Sequence, residues 1–100
     1  MAFKPIIVEE TIDGILYKAQ FNGIRERTKL VSMISKDIED GSAYVFENVL
    51  VEPKIPDVDE YFGTDAAHYD KVLVFLTQVG TADSKYFPAA NKTADKGKGK

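Results

Sequence analysis

The sequence contains no cysteine. That excludes a disulfide framework, thiolate metal ligands and a cysteine nucleophile. It also points to a reducing compartment, because small exported domains commonly depend on disulfides. Histidine is nearly as scarce: His68 stands alone, so no second imidazole can join it in a zinc-type site. No apolar run approaches the ~20 residues that span a bilayer. Met1-Ala2-Phe3-Lys4-Pro5 precedes only three consecutive aliphatics, too few for the core of a signal peptide. The expectation is a protein made and kept in the cytoplasm, away from membranes.

Basic charge is lacking over most of the chain. Four of the 13 basic residues (Lys92, Lys96, Lys98 and Lys100) fall within the last ten positions, leaving nine basic and fifteen acidic groups in residues 1–90. An acidic body is unsuited to phosphate backbones, so nucleic acid is not the expected partner.

Signatures of chemistry are missing as well. There is no Gly-x-Ser-x-Gly elbow and no glycine loop to cradle phosphate. The densest acidic cluster is Asp57, Asp59, Glu60 and Asp65. Read as a calcium loop from Asp57, it places Tyr61 where an oxygen ligand belongs, Phe62 where glycine belongs and His68 where glutamate belongs. It reads instead as a solvated acidic loop. His68, in the first turn of a helix, reads as an ordinary, partly exposed helix residue. No catalytic residue, metal site or cofactor is expected.

What is present reads as an α+β fold. Asp13-Gly14 is a two-residue hairpin signal, because a type I′ turn needs positive φ at both central positions. That turn sets Ile12 opposite Ile15, Val8 opposite Ala19, Ile6 opposite Phe21 and Tyr17 opposite Glu10, which makes one face apolar. On the other face Glu9 meets Lys18, a favourable cross-strand pair. A lone hairpin is marginal in water, so its apolar face must pack on something.

Asn22-Gly23 ends the second strand, and Leu30, Val31, Ile34 and Ile38 then share a helical face up to a break at Asp40-Gly41-Ser42. Over 43–51, Tyr44, Val45, Phe46, Val49 and Val51 favour a strand by composition. The spacing, with Ser42 as an N-cap, favours a short helix, and the helix is the preferred reading. Pro53 and Pro56 stop either element. Residues 57–62 form an acidic turn or a single helical turn. Ala66, Tyr69, Val72, Leu73, Leu76 and Val79 then define the clearest helix, capped by Thr64 or Asp65 and closed by Gly80 as a C′ glycine. Phe75 falls off that stripe, which suggests cover on two sides.

The expected architecture is an N-terminal β-hairpin packed on two to three α-helices over residues 1–88, followed by a disordered lysine-rich tail over 89–100. The chain has more aromatic residues than so small a core need bury. Tyr61, Phe62, Tyr86 and Phe87 flank helix ends and are the predicted anchors for a partner, with Lys92, Lys96, Lys98 and Lys100 as an electrostatic handle. A core this modest also leaves room for weak self-association.

The segments Ile15-Leu16-Tyr17-Lys18-Ala19-Gln20-Phe21-Asn22-Gly23-Ile24-Arg25-Glu26 and Phe46-Glu47-Asn48-Val49-Leu50-Val51-Glu52-Pro53-Lys54, with the acidic stretch 57–62 before a final apolar helix, resemble the tail assembly chaperones of long-tailed phages and prophages of Gram-positive bacteria. The likeness covers roughly residues 12–80. It implies a non-enzymatic protein that binds the tape measure protein, recruits tail tube subunits in the host cytoplasm and is absent from the finished virion. It also implies a longer frameshifted product, for which the ending Lys96-Gly97-Lys98-Gly99-Lys100 is suggestive. The hairpin and valine-rich centre give less helix than a purely helical chaperone would have. The rival reading is a structural virion protein, such as a tail-completion or head–tail connector subunit.

Overall fold

The computed structural model describes residues 4–87. Strands β1 (Ile6–Ile12) and β2 (Ile15–Phe21) form the hairpin in the expected register, from Ile6↔Phe21 to Ile12↔Ile15. At its tip Asp13 and Gly14 take φ of 52° and 85°, the left-handed pair that a type I′ turn requires. Tyr17, Ala19, Phe21 and Ile12 are buried, while Ile7, Glu9, Thr11 and Leu16 face outward. A third strand, β3 (Leu50–Glu52), pairs antiparallel with β2, giving the order β1-β2-β3 with β1 at an edge.

Helix α1 (Ile24–Lys36) ends earlier than its pattern suggests. The break falls at Asp37, whose extended backbone stops α1 and whose carboxylate accepts from the Glu39 N–H to cap α2 (Ile38–Tyr44). Asp40, Gly41 and Ser42 therefore lie inside a helix, and the Ser42 hydroxyl donates to the Ile38 carbonyl rather than capping a new one. Of the predicted α1 stripe, Leu30 is buried and Ile34 half-buried, whereas Ile38 is 62% exposed in α2. Gly41 is there for closeness: a Cβ would stand 2.6 Å from Ile34 Cγ1.

The ambiguous stretch 43–51 divides between both readings. Its start completes α2, Val45–Val49 forms a π-helical turn, and Leu50 begins β3. The π turn aims Val45, Phe46 and Val49 into the core, so composition and spacing each described one half. Helix α3 (Val58–Phe62) is a single turn capped by Asp57. In α4 (Ala66–Gly80) the cap is Asp65, which accepts from the His68 N–H. Gly80 is the last helical residue and not a C′ glycine; a Cβ there would meet Leu30 Cδ2 at 2.6 Å. The Arg27 guanidinium ties α1 to this end of α4 by donating to the Thr81 carbonyl at 2.8 Å.

One apolar cluster joins these elements, from Tyr17, Ala19 and Phe21 through Leu30, Val45 and Val49 to Val72, Phe75, Leu76 and Val79. Phe75 is buried beside the main stripe, so α4 is indeed covered on two sides. The structure is α+β, with a three-stranded sheet against four helices among the described residues.

Candidate functional site

Two features concentrate polar and exposed apolar groups. The first is a hydrogen-bonded chain through the core. The tight turn places Asp13 over the first turn of α4, where Asp13 Oδ2 lies 2.7 Å from His68 Nδ1 and Oδ1 lies 2.9 Å from Lys71 Nζ. His68 Nε2 is 2.7 Å from the Tyr17 hydroxyl, which is 2.9 Å from the Tyr61 hydroxyl. A carboxylate only accepts, so Nδ1–H donates to Asp13; a neutral ring then accepts from Tyr17, and Tyr61 donates to Tyr17. His68 is 7% exposed, not the partly exposed residue its position suggests.

The Asp–His–Tyr order parallels an acid–base relay, with its histidine and tyrosine buried. Tyr17 is completely buried, and that burial pushes its hydroxyl pKa up, making ionisation harder. Neither His68 nor Tyr17 lines the groove between β1 and α4, the cleft at Asn22 and Asn48, or the hollow between α3 and α4. The chain ties the hairpin to α3 and α4. Lys71 and then His68 hold the Asp13 carboxyl below its ordinary value by hydrogen bonding.

The second feature is a groove of about 460 Å³ between β1, α4 and the turn at Lys85-Tyr86. Buried Ile12 and Phe75 form its floor, and Val74, 53% exposed, stands on its α4 side. Glu10, Asp70, Lys71, Gln78 and Lys85 supply its polar lining. Two further hollows are a polar cleft of about 750 Å³ bounded by Asn22, Glu26, Lys29 and Asn48, and one of about 300 Å³ between α3 and α4.

The predicted anchors distribute unevenly. Phe62 belongs to the core, 8% exposed and ringed by Phe46, Tyr61, Tyr69 and His68. Its side chain is not a free anchor, because α3 turns it inward against α4. Tyr61 is 39% exposed but spends its hydroxyl on Tyr17. Tyr86 is half-buried on Phe75, and its hydroxyl donates to Glu10 at 3.1 Å; burial and that carboxylate push its pKa up to about 12. Phe87 is half-buried against Phe21. Tyr86 and Phe87 dock the end of the described chain on the sheet, and of the four only Tyr86 lines the groove between β1 and α4. Lys92, Lys96, Lys98 and Lys100, and the tail 89–100, lie outside the described residues.

Missed in the sequence were His68 as a buried hub, Asp13 as its partner and Val74 as the exposed apolar residue of α4. His68 carries a signal in retrospect, because it falls on the same helical stripe as Val72, Leu76 and Val79. Among the described residues no three His, Asp or Glu side chains are grouped to hold a metal ion, and no helix is long and apolar enough to cross a membrane. Compared with family models, curated proteins and solved structures, the chain matches none.

Proposed function

We propose that this protein is a non-enzymatic tail assembly chaperone of the phage and prophage type, which covers an apolar segment of the tape measure protein and recruits tail tube subunits before polymerisation. The observation that carries the binding part of this reading is the groove along α4. It presents an exposed valine over a floor of Ile12 and Phe75, bounded by charged side chains, the combination of apolar centre and polar border by which protein surfaces receive partners. The particular client comes from the sequence resemblance alone. The acidic body supports a protein client over nucleic acid.

The mechanism is reversible cover: the groove shields an aggregation-prone segment until tube subunits replace the chaperone. The test is co-expression with the proteins encoded beside this one, above all any very long helical neighbour. Capture of that neighbour with a rise in its soluble yield supports the chaperone. A ring in solution, or this protein inside purified particles, overturns it in favour of a structural tail-completion or connector subunit.

A further inference from the structure

The two-residue turn fixes which backbone groups of β1 are used. Its closing pair, Ile12↔Ile15, is a hydrogen-bonded pair, and so by alternation are Glu10↔Tyr17, Val8↔Ala19 and Ile6↔Phe21. The N–H and C=O groups of Ile7, Glu9 and Thr11 therefore point away from β2, toward the open edge. Among the described residues no backbone bond outside the strands reaches them. A seven-residue edge with exposed Ile6 and Ile7 is a template for another strand.

Two neighbouring features define what such a strand would carry. On the core side, the groove beside Ile12, Val74 and Phe75 opens next to the last three residues of β1, Glu10, Thr11 and Ile12, and offers apolar surface to a side chain there. On the outer face, Lys18 lies between Glu9 at 3.7 Å and Glu52 at 3.8 Å. The row across β3, β2 and β1 thus alternates in charge, negative, positive, negative, and stops at Glu9 with an excess negative charge. The next place in that row lies on a strand added beyond β1, and it favours a cation.

We propose that β1 is a strand-addition site for an extended segment of a partner protein, with alternate side chains apolar toward the α4 groove and basic toward Glu9. A second copy of β1 fits poorly. Its edge-facing residues are Ile7, Glu9 and Thr11, none of them basic, so antiparallel self-pairing centred on Glu9 sets carboxylate against carboxylate. The inference rests on the binding reading above only in taking the partner to be a protein; it is independent of which protein that is. It also differs from a helix-in-groove complex, because main-chain hydrogen bonds carry the recognition.

The test uses the full chain and three ten-residue synthetic probes: alternating valine–lysine, alternating valine–glutamate, and a leucine–lysine amphipathic helix. Amide hydrogen exchange and titration are followed by NMR. The valine–lysine peptide is expected to bind about tenfold more tightly than the valine–glutamate one and to slow exchange at Ile7, Glu9 and Thr11. Glu9→Lys is expected to reverse that preference. N-methylation of one alternating set of peptide amides abolishes binding and methylation of the other spares it. Thr11→Pro, which removes an outward N–H while leaving the β1–β2 bonds, weakens binding with the melting temperature monitored as a control for folding.

Binding that perturbs Val74 and Phe75 without protecting the edge amides overturns strand addition but leaves the groove as a protein-binding site. Binding of none of the probes overturns both. Slow exchange at the edge before any peptide is added overturns the proposal too. Concentration dependence would then name a second copy as the occupant, and its absence would name residues 88–100.

Discussion

The Tyr17 hydroxyl stands 2.7 Å from His68 Nε2, joining the middle of β2 to the first turn of α4 inside the core. Removing Tyr17 alone leaves His68 Nε2 buried without its partner, a penalty that is absent when both members of the pair are removed. Tyr17→Phe is expected to destabilise by about 1–3 kcal/mol, roughly 4–8 °C of melting temperature per kcal/mol in a chain this size. His68→Phe added to Tyr17→Phe should cost less than the two single losses together. Thermal denaturation of the four proteins measures this coupling. Strictly additive losses would mean that the bond contributes nothing of its own.

Asp13 sets the acid limit of the same network. Hydrogen bonds from Lys71 and then His68 hold its carboxyl below the ordinary 3.8. A carboxyl lowered on folding stabilises the fold above its unfolded pKa, and the contribution fades as pH falls through the lowered value. Asp13→Asn keeps a residue that tolerates the left-handed turn but loses the charge. The variant is expected to be less stable than wild type at neutral pH, with the gap narrowing below about pH 4. Urea unfolding from neutral pH to pH 2 reads the difference, and a gap that stays constant across the range would reject the assignment.

Neighbouring Tyr61 and Phe62 should separate cleanly. Phe62 packs among Phe46, Tyr69 and His68, so Phe62→Ala is expected to cost about 3–5 kcal/mol. Tyr61 is half out of the core and loses only its bond to Tyr17 in Tyr61→Phe, a cost of about 0.5–1.5 kcal/mol. Chemical denaturation of both variants tests this. Equal costs would mean that α3 does not orient the two rings differently.

The hairpin could be read from the sequence because everything that specifies it is local. Turn chemistry at Asp13-Gly14, alternation, and the Glu9–Lys18 pair choose one register. The Asp65 cap and the stripe of α4 are local in the same way. The polar chain could not be read: His68 meets residues 51 and 55 positions away, and only the packing of hairpin on helix brings them together. Phe62 was misread because an aromatic pair at a helix end does not show which ring turns inward. The groove was legible only as a general expectation, since its floor mixes β1, α4 and the Tyr86 turn.

Gly41 was misread for a further reason, and it gives the last prediction. Glycine after an aspartate usually marks a break, but here α2 continues through it. Its missing side chain allows α2 to approach α1 closely: a Cβ would lie 2.6 Å from Ile34 Cγ1 and 3.3 Å from the Ile34 Cα. The backbone contact cannot be relieved by rotating a side chain, so the helices must separate. Alanine is the better helix former by about 1 kcal/mol, and if local propensity governed, Gly41→Ala would stabilise. Overpacking opposes this with about 1–3 kcal/mol, so a net loss of stability is expected. Ile34→Ala in the same chain removes the closest atom, and the double variant should lose less than the sum of the single losses. Melting temperatures of the three variants decide it. A rise for Gly41→Ala would show that α1 and α2 can move apart without cost.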